Sequence, residues 1–253
     1  MRIAALQHDI VWEDRAANFE RLAPQVARAA GAGAELVLLA ETFSTGFSMT
    51  PGIGEPEGGP SARFLADRAA EHGIWVGGSC PEVAADGELP YNSFVLAGPD
   101  GTVHRYRKLH PFTHGGERER FRAGEKPVIL EIGGLRITPF ICYDLRFADV
   151  FWRAAPETDV YLVVANWPAA RRHHWQTLLQ ARAIENQAYV VGCNRVGTAG
   201  DGTAHAGDSR IVSPMGELLA TAAGTETLVL ADVDPAEVAA TRDRFRFLAD
   251  RRG

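Results

Sequence analysis

Short apolar runs alternate along the chain with stretches in which apolar residues recur every three or four positions. Residues 2–7 and 35–39 read as buried strands. Between them Phe19, Leu22, Ala23, Val26, Ala27 and Ala30 form the apolar stripe of an amphipathic helix, which Gly31 and Gly33 end. The opening is therefore a β-α-β unit. A second helix is expected from Ser61, behind Pro60, with Phe64, Leu65 and Ala69 on its apolar side. Strands follow at 74–78, 92–97 and 102–107, the last two joined by a turn at Pro99-Asp100-Gly101. Gly133-Gly134 turns strand 127–132 into strand 135–141. A strand at 159–165, a long helix over 171–187 and a strand at 188–194 come next. Strands at 208–213, 217–221 and 226–232, with a turn at Pro214-Met215-Gly216, lead to a short helix from Pro235 and a charged tail.

Hairpins are too frequent in this order for a purely parallel sheet. A mixed α/β layered sandwich fits better than a doubly wound sheet or an eightfold barrel. With 253 residues, 46% of them hydrophobic, and no long Pro/Ser/Gly linker, the chain reads as a single domain over 1–253. The net charge of −6 is spread along the chain and forms no basic face, which argues against a nucleic-acid partner. No apolar span is long enough for a membrane helix and no signal-peptide core is visible, so the expected location is cytoplasmic. Cys80, Cys142 and Cys193 are too sparse for a disulfide framework or a Cys-rich zinc site. His110 and His114 are separated by Pro111, and His173 and His174 point apart on a helix, so neither pair makes a metal site. No metal and no cofactor is expected.

Three residues stand just past expected strands, where sheet proteins place their sites. Cys142 ends the apolar run Pro139-Phe140-Ile141 and precedes a polar, helix-compatible segment. A helix N-terminus there would favour its thiolate, and the next N–H, of Tyr143, is placed to meet an oxyanion. A lone cysteine is more often a buried structural residue, so the position alone is a weak signal. Glu41 follows Leu36-Val37-Leu38-Leu39-Ala40, where a carboxylate is costly unless it is solvated, paired or used. Lys108 closes strand 102–107 and, if it is not simply an exposed loop lysine, supplies fixed positive charge.

The segments Leu39-Ala40-Glu41-Thr42-Phe43, Tyr106-Arg107-Lys108-Leu109-His110 and Ile141-Cys142-Tyr143-Asp144-Leu145-Arg146-Phe147 resemble the Glu, Lys and Cys motifs of the carbon–nitrogen hydrolase (nitrilase) superfamily. The resemblance continues through Asn166-Trp167-Pro168, the run Leu179–Gln187, Gly207-Asp208-Ser209 and Ser213-Pro214-Met215-Gly216-Glu217. It covers nearly the whole chain and is strongest to the ω-amidase branch. It implies a four-layer α-β-β-α sandwich with two mixed β-sheets, a homodimer, and a small-molecule amide as substrate. It further implies an ω-amide of a dicarboxylic keto acid (2-oxoglutaramate or 2-oxosuccinamate), hydrolysed through a thioester on Cys142 with Glu41 and Lys108. Aliphatic amidases, nitrilases and N-carbamoyl amino-acid hydrolases share the same three residues and are the alternatives, with a non-catalytic scaffold that keeps the fold as a third kind.

A second glutamate of the family matches Glu117, with Glu119 as competitor. Phe43, Phe47, Tyr143 and Trp167 are candidates for the pocket wall, a core role being equally open for the phenylalanines. Arg146, Arg171 and Arg172 are candidates by type for a substrate carboxylate, although Arg146 is expected to pair with a structural carboxylate.

Overall fold

The computed structural model describes residues 1–87 and 89–252. The elements are β1 (Arg2–Gln7), α1 (Arg15–Gly31), β2 (Leu36–Leu38), β3 (Glu55–Pro56), α2 (Pro60–His72), β4 (Trp75–Val83), β5 (Tyr91–Ala97), β6 (Val103–Arg107), β7 (Leu130–Ile132) and β8 (Leu135–Ile141). They continue with α3 (Ala148–Ala154), β9 (Val160–Ala165), α4 (Arg172–Asn186), β10 (Tyr189–Asn194), β11 (Val196–Thr198), β12 (Ala204–Ala206), β13 (Arg210–Val212), β14 (Leu218–Thr221), β15 (Thr227–Asp232) and α5 (Pro235–Arg244).

The strands form two mixed sheets. One runs β15-β1-β2-β4-β5-β6, with β3 beside β4, and the other β14-β13-β10-β9-β8-β7. β1 and β2 are parallel, as the β-α-β opening requires. Period-two alternation explains the layering. Ile3, Ala5, Leu36, Leu38, Phe94 and Leu96 of the first sheet pack with the second sheet. Their neighbours Ala4, Leu6, Val37, Leu39, Val95 and Ala97 pack instead with Leu22 and Val26 of α1 and Phe64 and Leu65 of α2. The second sheet is covered on its far side by Phe151 of α3 and Trp175, Leu179 and Ala183 of α4. The order of layers is thus α-β-β-α. No helix among the described residues is long and apolar enough to cross a membrane.

Several elements differ from the pattern-based expectation. β4 extends to Val83 rather than ending near 78, through Gly77, Gly78 and Pro81, residues that disguise a strand. The glycines permit a close approach: a Cβ on Gly78 would lie 2.9 Å from Phe43 Cδ1 and 3.0 Å from Leu39 Cβ. The hairpin β11–β12 carries no alternating apolar signal and is absent from the sequence reading. The segment after Cys142 is a 3-10 turn, Cys142–Arg146, followed only later by α3.

His8 props the end of β2. It is fully buried, its Nε2 accepts from Ala40 N–H at 3.3 Å, and its Nδ1 lies 3.0 Å from the Asp9 carbonyl. Burial, aided by Arg195, pushes its pKa down to about 4. Because the folded value lies below the unfolded one, the unfolded chain binds the extra proton. The contribution is complete above about pH 6.5 and is lost as pH falls toward 4, a cost of up to about 3 kcal/mol. Urea unfolding at several pH values should therefore show midpoints that fall across this window, and fall less in His8→Gln. Equal pH dependence in the two proteins would remove His8 as a cause. His205, also pushed down to about 4 by burial, accounts for part of what persists in the variant.

Candidate active site

Glu41 sits three residues past β2, in a turn held against β4. Leu39 N–H donates to the Gly77 carbonyl (2.7 Å), Thr42 N–H to Ser79 Oγ (2.8 Å) and Phe43 N–H to the Ser79 carbonyl (3.1 Å). Thr42 has φ +42°, and so does Cys142 at the end of β8. Non-glycine residues rarely adopt this region, and each such position stores on the order of 1–3 kcal/mol of strain. Both strained turns face the same cavity, which has a volume of about 470 Å³.

At its floor lies a buried cluster. Lys108 Nζ donates to Glu41 Oε1 at 2.9 Å and to Glu117 Oε1 and Oε2 at 3.0 and 2.8 Å. Asn92 Nδ2 bridges the same two carboxylates, at 2.9 Å to Glu41 Oε1 and 3.0 Å to Glu117 Oε1. Glu41 Oε2 accepts from Asn166 N–H at 2.7 Å, and Glu117 Oε2 accepts from Phe112 N–H at 2.6 Å. Glu41, Lys108 and Glu117 are all essentially inaccessible. Burial works against the Lys108 ammonium, but Glu117 and Glu41 outweigh it and hold the proton more firmly than in water. Burial raises the Glu117 pKa, opposed by Lys108 and reinforced by Glu41.

Cys142 opens partly to the cavity. Its surroundings push the thiol well above its ordinary range: desolvation first, then Glu41, with Lys108 pulling the other way. The expectation of a thiolate stabilised by a helix N-terminus is therefore corrected. The chain makes a 3-10 turn there, and burial together with the Glu41 carboxylate favours the thiol form of Cys142.

The wall of the cavity includes Phe47, Tyr143, Trp167, Arg146 and Arg171. Phe47 stacks under Lys108, with Nζ 5.2 Å from the ring centroid. Phe43 does not reach the cavity; it packs with Phe19 and Phe64 at centroid distances of 6.3 and 6.0 Å. Arg146 lies over Trp167 at 4.7 Å and reaches His174 Nδ1 at 3.3 Å. The structural carboxylate expected for Arg146 is absent among the described residues, because its side chain turns to the cavity instead. Arg171 lies 5.6 Å over Phe112. Arg172 points away and pairs with Asp208 at 2.8 Å. Of the two glutamates in the 117–119 turn, Glu117 is buried on Lys108 and Glu119 is exposed.

Asn92 and Asn166 hydrogen-bond the glutamates of the cluster, and Asp144 bonds the segments flanking Lys108 and Cys142; the sequence reading assigned none of them a role. Asn92 did leave a signal, as one of two polar residues, with Ser93, in the otherwise apolar β5.

A thiol beside a Glu–Lys–Glu cluster, set where two sandwiched mixed sheets end, is an arrangement suited to splitting carbon–nitrogen bonds. Residues 2–243 match the carbon-nitrogen hydrolase family, and the chain belongs to that family. It is 40% identical over 246 residues to the ω-amidase YafV of Escherichia coli strain K12, an alignment spanning 97% of this chain and 94% of the relative. It is 30% identical over 252 residues to the 2-oxoglutaramate amidase of Bacillus subtilis strain 168, spanning 98% and 96%. Among solved structures it resembles XC1258 from Xanthomonas campestris, a CN-hydrolase superfamily protein with an arsenic adduct in its active site. The TM-score there is 0.93 at 35% identity, covering 100% of this chain and 97% of the other.

Proposed function

We propose that the chain is an ω-amidase that hydrolyses the terminal amide of a small dicarboxylic 2-oxo acid, with 2-oxoglutaramate and 2-oxosuccinamate as substrates. The observation that carries this reading is the pair Arg146 and Arg171. Both line the cavity of Cys142, and neither forms an ion pair with a carboxylate among the described residues. They are close enough that Arg171, after burial, lowers the proton affinity of Arg146. Two guanidiniums held together, neither of them ion-paired, make a receptor for an anion, and a planar carboxylate fits that fork. The names of the relatives in Escherichia coli and Bacillus subtilis support the same substrate class.

In this reading Glu41 takes the proton of Cys142 as substrate enters, and the thiolate attacks the amide carbon. Lys108 and the Tyr143 N–H stabilise the tetrahedral oxyanion. Glu41 passes its proton to the nitrogen, the C–N bond breaks and ammonia leaves. Water, deprotonated by Glu41, then attacks the Cys142 thioester, releasing the dicarboxylic acid and restoring the thiol. Glu117 holds Lys108 in place. Trp167 and Phe47 confine the substrate.

The test is kinetic. Arg146→Ala and Arg171→Ala should each raise KM for 2-oxoglutaramate by about 10- to 100-fold, the scale of a lost charged hydrogen bond. KM for a short aliphatic amide, which has no carboxylate, should change by less than about threefold. A wild-type enzyme that prefers the aliphatic amide, or that turns over nitriles in its place, would replace this reading with another activity of the same family.

A further inference from the structure

We propose that Asp144 is a positioning residue for the reaction: with Tyr106 and His110 it forms a clamp that sets Cys142 against Lys108. The proposal rests on the reading above, in which those two groups act together. Asp144 is completely buried, yet it touches neither the cavity nor the glutamate cluster. Its carboxylate is saturated by four donors. Oδ2 accepts from Tyr106 OH at 2.7 Å and from Ile141 N–H at 3.1 Å. Oδ1 accepts from His110 N–H at 2.9 Å and lies 2.8 Å from His110 Nδ1, which carries the proton because the carboxylate only accepts.

The placement of these partners is the argument. Tyr106 and His110 stand two residues before and two residues after Lys108. Ile141 and Asp144 stand one residue before and two residues after Cys142. One carboxylate thus joins both flanks of the lysine to both flanks of the cysteine. The two segments arrive from different sheets, β6 from the edge of the first and β8 from the second, so no strand pairing fixes their separation. Cys142 also sits at φ +42°, a conformation that persists only where its surroundings over-determine it.

The clamp is braced from behind. Tyr106 OH accepts from Leu109 N–H at 3.2 Å, and the His110 ring stacks on Phe147 with centroids 3.8 Å apart. A buried carboxylate is expensive, and an apolar side chain at this position would leave four donors, two of them backbone N–H groups, without an acceptor. What an apolar residue does not supply is directional control over two loops at once. Misplacement of reacting groups by an ångström costs on the order of 100-fold in rate.

The experiment compares Asp144→Asn, His110→Ala and His110→Asn with wild type, each with thermal unfolding recorded and with kcat expressed per folded protein. Cys142→Ala serves as the control for the site itself. His110→Asn loses the stacking on Phe147 but keeps a donor near the position of Nδ1. Asp144→Asn should lose about 100-fold in kcat with KM within about threefold, since the substrate carboxylate is held elsewhere. His110→Ala should lose about tenfold in kcat, and His110→Asn should recover most of that loss. A folded Asp144→Asn with wild-type kcat overturns the clamp, as do equal kcat values in the two His110 variants. Activity retained by Cys142→Ala would overturn the underlying site reading as well, and is thereby distinguished from failure of the clamp alone.

Discussion

Cys142→Ala is expected to release no measurable ammonia from 2-oxoglutaramate, a loss of about 10⁵-fold or more, comparable to deleting the nucleophile of other covalent hydrolases. The fold should survive. The substitution removes one sulfur atom from the edge of a cavity and breaks no backbone hydrogen bond, so the stability change should stay below about 1 kcal/mol. The thiol has its pKa pushed well above the ordinary range, by burial first and then by Glu41. Its reactivity should accordingly depend on a substrate-like carbonyl that moves the proton onto Glu41, rather than on the free thiolate fraction. Intact-mass analysis of wild type quenched during turnover should show the acyl adduct, and the variant should show none. The other cysteines offer no substitute. Cys80 is buried and its thiol is pushed well up by burial, while Cys193 is buried with its Sγ donating to the Leu6 and Leu38 carbonyls at 3.3 and 3.5 Å. An adduct on Cys142→Ala, or turnover by it, would place the chemistry on another residue.

The layering was legible because strands covered on both faces are apolar along their length, as residues 3–6 of β1 and Leu36–Leu38 illustrate. Their two interleaved sets of side chains serve different cores. Motif order led to Glu41, Lys108 and Cys142, and the buried position of Glu117 separates it from Glu119 where spacing did not. What stayed hidden depends on groups distant in sequence. The glycines of β4 look like strand breakers until Leu39 and Phe43 are seen packed against them. Asn92 bridges residues 51 and 25 positions away, a relation no periodicity encodes. Arg146 was expected to pair with a carboxylate because most buried or half-buried arginines do. Its turn toward the cavity follows from stacking on Trp167, a contact between two different strand ends. The thiolate expected at Cys142 presupposed a helix; the chain makes a 3-10 turn instead, and burial, then the carboxylates of Glu41 and Glu117, raise the thiol pKa.

Those carboxylates make Lys108→Met the most damaging single change after loss of the thiol, and its effect should be double. Lys108 is the one cation in contact with Glu41 and Glu117 among the described residues, at 2.9 and 2.8 Å. Removing one partner of a buried ion pair costs about 3–5 kcal/mol, because the abandoned charge stays buried. Here two carboxylates would be left sharing the Asn92 amide, with one backbone N–H each, from Asn166 and Phe112, and no cation. Glu117 already has a raised pKa with Lys108 present, so in the variant it should rise further and take a proton on folding. A folded pKa above the unfolded one contributes stability below the unfolded value and loses it as pH rises through the folded value. Lys108→Met should therefore be least stable in alkaline buffer and regain stability on mild acidification, against the trend set by His8. Turnover should fall by at least 10²- to 10³-fold through loss of the oxyanion's cation, at every pH. The double variant Lys108→Met/Glu117→Gln separates the two effects. Neutralising the stranded charge should restore most of the stability measured by urea unfolding, and none of the ammonia release. If the double variant regained activity, Lys108 would be a counter-ion for Glu117 and nothing more, and oxyanion stabilisation would fall to the Tyr143 N–H alone.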